Sequence, residues 1–280
     1  MTRFTRFVLF AIAAAGPVML VLLPLGAFVL NSFYSMRNGE IIRELSFGNY
    51  VEFATNWTYL GVLLSTVGLG FGVSAICLLL AYPLAWFVWQ QPEKRRFLLL
   101  LIIILPLFMS YIVKLFTMRS LLAIKGLVNA VLVGTGVLNE PIATLMFNQR
   151  AILLTMVVMY LPFVFLPIYL ALERIPPNLI QASADLGGTL GATFRWVIWP
   201  LSVPGVISGA IFAFVLTMGD YVTPQLVGGP NGFTFGRVIF SQFGAAYNWP
   251  LGAALAAVLM IVSAIAIAAA GTASNRSKAR

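Results

Sequence analysis

The chain has 280 residues, 61% hydrophobic and 9% charged, with a mean hydropathy of +0.98, which leaves too little polar surface to coat a water-soluble globule. Its 17 Lys+Arg against 8 Asp+Glu would suggest a nucleic-acid partner in a soluble protein, but here a lipid bilayer must cover most of the surface and no nucleic acid is expected. With no His and one Cys, Cys77 in an apolar stretch, zinc clusters, disulfide frameworks and His-based acid–base chemistry are excluded, so no catalytic residue, metal or bound cofactor is expected.

A helix crossing a hydrocarbon layer of about 30 Å needs about 20 apolar residues. Six stretches qualify: residues 8–30, 59–89, 97–118, 152–172, 203–222 and 251–270. The predicted fold class is therefore an all-α membrane protein of six transmembrane helices, with residues 1–280 as a single domain. The first stretch follows Arg3 and Arg6 and contains Ala13-Ala14-Ala15, as a signal peptide would, but its apolar run continues well past that point and favours an uncleaved helix.

Residues 31–58 and 119–150 are long connections on one side of these spans, and residues 90–96 are a short turn on the other. The piece from Gly126-Leu127-Val128-Asn129-Ala130 to Asn139-Glu140-Pro141 is half apolar and predicts short helices on the membrane surface. One side collects ten Lys and Arg (Arg3, Arg6, Lys94, Arg95, Arg96, Arg174, Arg195, Arg276, Lys278 and Arg280), the other six (Arg37, Arg43, Arg119, Lys125, Arg150 and Arg237). Positive loops stay in the cytoplasm, which places both termini there.

The most informative segment is the cytoplasmic loop at residues 173–200, which reads as two short helices at a bend. Pro176 and Pro177 cannot continue the fourth span, and Asn178 with Gln181 three residues later has the spacing of a capping pair. Gly187 supplies the left-handed position that ends the first helix. A second helix from about Thr189 would carry Leu190, Phe194, Val197 and Ile198 on one face before Pro200 leads into the fifth span. By itself such a loop could be an interfacial elbow in the lipid headgroups.

Gln181-Ala182-Ser183, then Gly187, then Ile198 and Pro200 resembles the "EAA" loop of bacterial ABC importer permeases, with Gln in place of Glu, Ser in place of the second Ala and Trp199 where Leu is usual. Three further segments narrow the resemblance to the spermidine/putrescine type: Ser110-Tyr111-Ile112-Val113-Lys114-Leu115-Phe116, the 126–141 piece, and residues 218–229, Met-Gly-Asp-Tyr-Val-Thr-Pro-Gln-Leu-Val-Gly-Gly. The resemblance implies a type I importer permease in a bacterial inner membrane, forming half of a pore. It implies that the loop is the element that couples to an ATPase, through Asn178, Gln181, Ala182, Ser183 and Asp185, the bend at Gly187, and Phe194, Arg195 and Pro200. It also implies the partners: a second permease that is a distinct homologue, two ATPase subunits that hold ATP and Mg, and a periplasmic substrate-binding protein. The implied solute is a polyamine or a related small molecule.

Two ionisable residues fall inside spans, Lys114 and Asp220, each costing on the order of 3 kcal/mol at the bilayer centre unless paired or hydrated. In one reading Asp220 lies on the substrate path and attracts a cationic solute, with Tyr111, Lys114 and Tyr221 nearby and aromatic faces binding the cation. In the other, Asp220 pairs with Lys114 or lies near the outer water boundary, where Pro224 and Gly228-Gly229 end the helix. The glycines at 187, 188 and 191 precede no Gly-Lys-Ser/Thr, so they form no phosphate loop, and ATP must bind elsewhere. A rival function is an ion-gradient-driven secondary transporter with Asp220 and Lys114 as its coupling pair. Such folds show paired broken spans from an internal repeat, and no repeat is visible here.

Overall fold

The computed structural model describes residues 3–278. Arg280, counted above among the positive charges, lies outside them, as do the side chains of Arg276 and Lys278. The element order begins with α1 (Arg3–Pro17), a π-helical turn (Val18–Leu22), α2 (Leu23–Asn31), a hairpin of β1 (Ser35–Arg37) and β2 (Glu40–Ile42), α3 (Gly48–Thr55) and α4 (Trp57–Trp89). It continues with α5 (Glu93–Ile104), α6 (Tyr111–Leu122), α7 (Leu127–Gly134), α8 (Gln149–Glu173), α9 (Pro177–Asp185) and α10 (Leu190–Thr193). A second π-helical turn (Phe194–Ile198) joins α10 to α11 (Trp199–Gly219), and α12 (Val222–Val227), α13 (Phe235–Gly244) and α14 (Trp249–Lys278) follow.

Among the described residues, five helical stretches are long and apolar enough to cross a membrane: Trp57–Trp89, Tyr111–Gly134, Gln149–Glu173, Leu190–Gly219 and Trp249–Thr272. The expected first span is helical too, but a π turn after Pro17 divides it, and its apolar part, Val18–Asn31, is shorter than the other five. The expected third span at 97–118 is not one helix. α5 stops at Ile104, a 3-10 turn covers Leu105–Phe108, Met109 and Ser110 are extended, and α6 restarts at Tyr111. Pro106 is the cause, because it has no N–H to give and its ring obstructs the preceding turn. The expected fifth span ends at Gly219 rather than residue 222, where Asp220 turns extended at φ −78°, ψ 114°.

The chain packs as two units, one running through Gly61 and taking in Val238–Ile261, the other comprising Val62–Arg237 and the residues from Val262 on. In the first unit the hairpin turns at Asn38-Gly39, whose φ values of 52° and 84° are those of a two-residue turn that matches strand twist. Asn49 anchors the chain beside it, donating to the carbonyls of Ser32 at 2.8 Å and Tyr34 at 2.7 Å. The Tyr50 and Ser32 hydroxyls share a 2.6 Å hydrogen bond, and the rings of Phe33, Phe47 and Tyr50 cluster above it.

The second unit is organised on α8. Of its most apolar stretch 61% is buried, against 39% or less for the other four, so α8 is the enclosed rod that its neighbours cover. Its main neighbour is α11, and glycines set their separation: a Cβ on Gly205 would lie 2.5 Å from both the Ala171 Cβ and the Pro167 carbonyl, and one on Gly209 would lie 3.0 Å from Val164. This small-xxx-small spacing lets two helix backbones approach where lipid supplies no hydrophobic drive for association. α4 joins through Ser74, which donates to Gly70 O at 2.8 Å and Ala210 O at 3.2 Å, and through the 2.9 Å hydrogen bond between Tyr82 and Ser202. Cys77 is fully buried, its thiol 3.5 Å from the Val157 carbonyl.

In the connection after α6, Asn129 of α7 holds the chain with its whole amide: Nδ2 donates to Ile124 and Ile142 carbonyls at 3.1 Å, and Oδ1 accepts from Ile142 N at 2.9 Å. Of the short helices expected between Gly126 and Pro141, one forms, α7. If the glycine contact sets the helix spacing, Gly205→Leu should destabilise the purified protein by roughly 3 kcal/mol through overpacking, and Gly209→Ala by less. Thermal unfolding in detergent would check the order, and equal melting temperatures for both variants and the wild type would refute it.

Candidate functional site

Residues 173–200 fold as the expected bend, with one correction at its start. α9 begins at Pro177 with Pro176 in the capping position and no side-chain cap, so Asn178 and Gln181 are not the capping pair. Proline itself takes the place, since its missing N–H and fixed φ suit a first helical turn. The end of α9 is as read from the sequence. Gly187 has φ +75°, its N–H donates to Ala184 O at 2.9 Å, and the Gly188 N–H reaches Ser183 O at 2.8 Å, which is the two-bond Schellman closure. A Cβ on Gly188 would lie 2.6 Å from that same Ser183 carbonyl, so the second glycine is needed for space and the first for φ.

Thr189 then caps α10, accepting from Ala192 N at 3.3 Å, and helical structure continues to Gly219 without a loop. Two contacts fix the angle of the bend: Ser183 and Thr193 share a 2.8 Å hydrogen bond, and Phe194 packs edge-on against Trp86 of α4 with centroids 4.9 Å apart. Leu190 does not share the buried face of Ile198 as expected, being 92% exposed at the tip of the bend. The π turn at Phe194–Ile198 adds residues per turn and rotates the two ends of that face apart. Asn178, Gln181, Ala182, Asp185, Gly187, Arg195 and Pro200 are exposed. Leu186 is 89% exposed as well, so the bend presents two bare leucines.

The second cluster surrounds Asp220. Its carboxylate is buried and carries four hydrogen bonds: Oδ1 accepts from the N–H groups of Val222 and Thr223 at 3.0 Å each, and Oδ2 accepts from the hydroxyls of Tyr111 at 2.6 Å and Tyr160 at 2.8 Å. Because Tyr111 has one proton and gives it to Asp220, the 2.8 Å contact with the Thr223 hydroxyl is one in which Thr223 donates. One side chain thus ends α11, starts α12 and ties both to α6 and α8. The pairing of Asp220 with Lys114 considered from sequence is not formed. The Lys114 ammonium lies 5.9 Å over the Tyr111 ring and makes no ion pair among the described residues.

Asp220, Tyr111, Lys114 and Tyr221 line one open cavity of about 530 Å³, with Tyr160, Phe163, Met109 and Met159. The first four are the substrate-path candidates named from sequence; Tyr160, and Thr223 on the Tyr111 hydroxyl, are not among them. A tyrosine in the middle of an apolar span was the available signal, because a buried phenol needs a partner. After α12 the chain folds back. Arg237 donates to the carbonyls of Gly229 at 2.7 Å and Gly232 at 3.1 Å, and Thr66 of α4 accepts from Phe235 N at 2.8 Å.

Residues 144–276 match the family described as the inner membrane component of the binding-protein-dependent transport system. The chain is 37% identical over 220 residues to the inner membrane ABC transporter permease protein YdcU of Escherichia coli (strain K12), over 74% of this chain and 69% of the relative. It is 32% identical over 246 residues to the spermidine/putrescine transport system permease protein PotB of the same strain, over 88% of this chain and 89% of the relative. Among solved structures, a bacterial ABC transporter involved in the import of the acidic polysaccharide alginate superposes with a TM-score of 0.77 at 14% identity, covering 98% of this chain and 96% of that one. The MetNI methionine ABC transporter in inward-facing conformations gives 0.63 at 18% identity, over 80% and 98%. These two likenesses are of fold.

Removing the Asp220 carboxylate would orphan the N–H groups of Val222 and Thr223 and take from Tyr111 and Tyr160 their shortest hydrogen bonds. Asp220→Ala should therefore cost about 3 kcal/mol, while Asp220→Asn, whose amide oxygen can still accept at the start of α12, should cost less. Melting curves of the two variants measure this, and an alanine variant as stable as wild type would show that the hub is dispensable.

Proposed function

Because this chain belongs to the inner membrane components of binding-protein-dependent transport systems, the permeases of ABC importers, we propose that it forms half of a solute path and is driven through the bend at residues 173–200. It is a multi-pass inner-membrane subunit, and ATP hydrolysis belongs to a separate ATPase subunit. The observation that carries the reading is the construction of the bend. It is closed by a Schellman pair, braced by Ser183–Thr193 and Phe194–Trp86, and bare at Leu186 and Leu190. Two exposed leucines on a rigid apex suit insertion into a partner's apolar cleft, and movement reaches a pore only through a contact that does not yield.

In this reading the ATPase sits against Asn178, Gln181, Ala182 and Asp185 of α9, with Arg195 and Pro200 at the edge of the contact, while Ser183, Gly187 and Phe194 hold the shape. Six helical crossings, with α1 and α2 as the first, put both termini in the cytoplasm. A distinct second permease completes the path, two ATPase subunits bind below, and a periplasmic binding protein delivers solute above. The relatives named for spermidine and putrescine support a polyamine as the solute. An ion-gradient mechanism loses its coupling pair, since Asp220 is bonded to tyrosines and backbone rather than to Lys114.

A β-branched residue at φ +75° costs roughly 1–2 kcal/mol, enough for about a tenfold change in a coupled equilibrium. Gly187→Val should therefore lower solute uptake about tenfold in proteoliposomes containing the full complex, while ATP hydrolysis without solute persists. Uptake equal to wild type would remove the bend from the mechanism.

A further inference from the structure

The cavity beside Asp220 holds a charge that the hub does not neutralise. Both carboxylate oxygens of Asp220 are occupied by four donors, so the carboxylate has little left to offer a passing cation. Lys114 lines the same cavity and forms no ion pair among the described residues. An ammonium on a candidate membrane span persists only where water or a π face receives it. Tyr111 provides the face, and its hydroxyl is held between Asp220 and Thr223, which fixes where the ring sits.

The end of a polyamine and the end of a lysine side chain are the same group, a primary ammonium on an unbranched alkyl stem. A ring face that receives one receives the other, and two such cations repel each other over a single ring. We infer that Lys114 is a tethered competitor: it occupies the Tyr111 face of the cavity and yields that face to an ammonium of the solute. It is thereby a specificity-determining residue, since a solute with several ammonium groups rebinds through another group when one is displaced, and a monoamine cannot. This inference rests on the polyamine reading above and assigns Asp220 to positioning Tyr111 rather than to binding solute.

The test is direct binding of radiolabelled spermidine and butylamine to the purified permease–ATPase core without its binding protein, for wild type, Lys114→Met and Lys114→Arg, with a melting curve for each. Methionine keeps the stem and removes the competing charge, so the Kd for spermidine should fall about threefold or more and butylamine binding should become measurable. Arginine holds an aromatic face more firmly than lysine, so it should raise the Kd. The order Met, Lys, Arg in rising Kd supports the inference, and a merely structural lysine would not produce it. Equal Kd values, a higher Kd for the methionine variant at unchanged melting temperature, or no amine binding by any of the three would overturn it. Spermidine uptake by the complete wild-type complex is scored separately. Its absence defeats the polyamine reading, whereas uptake without the Met–Lys–Arg order defeats only the role given to Lys114.

Discussion

A carboxylate in an apolar layer must be matched bond for bond, and the middle of this protein is arranged around doing so. Asp220 takes two backbone N–H groups on one oxygen and two phenols on the other, which leaves neither oxygen bare. Satisfying it requires α11 to stop at Gly219, α12 to begin within reach, and α6 and α8 to bring Tyr111 and Tyr160 to the same point. Burial of an unmatched carboxylate would cost far more than any one of these contacts returns, so the four elements are held to one arrangement. The cavity wall next to Lys114 takes its shape from this requirement.

The glycine contact between α8 and α11 and the glycine closure of the bend work on the same principle at different places. At Gly205 and Gly209 the missing side chain lets two helices touch, and at Gly188 it lets a chain turn against the Ser183 carbonyl. Dispersion between close backbones, with interhelical hydrogen bonds such as Ser74–Ala210 and Tyr82–Ser202, holds helices together once lipid has removed the hydrophobic incentive. The bend adds side-chain braces, Ser183–Thr193 and Phe194–Trp86, because it carries too few buried residues to hold an angle by packing alone.

Much of this was legible in the sequence, because the strongest signals are local. Span-length apolar runs matched α4, α8 and α11 within four residues and the start of α14 within two, though α14 runs eight residues past the expected end, and Gly187 announced its own positive φ. Signals that depend on a competitor were harder. Asn178 and Gln181 had the right spacing for a capping pair, but Pro177 was a better start one residue earlier. Leu190 fitted a helical face that the π turn at Phe194–Ile198 then rotated away. Pro106 was visible, yet nothing in the apolar run at 97–118 told whether the helix would bend or break there. Asn38-Gly39 was a plain hairpin signal within a stretch read only as a long connection. Tyr111 could be grouped with Asp220 and a mid-span phenol signals that Tyr160 needs a partner, but the bonds that both make to Asp220 were not legible, because the three residues are far apart in the chain and only tertiary packing joins them.

The absence of any loop between the tip of the bend and Asp220 has a mechanical result. From Leu190 to Gly219 the chain is one helical rod of 30 residues, or about 45 Å at 1.5 Å per residue. Such a rod works as a lever: pivoted near one end, a tilt of about 5° sweeps the other through about 4 Å, more than the length of a hydrogen bond. The bonds to Tyr111 and Tyr160 sit at the far end of this rod, so a small angular displacement at Thr189 would be magnified where the four bonds of the carboxylate are made.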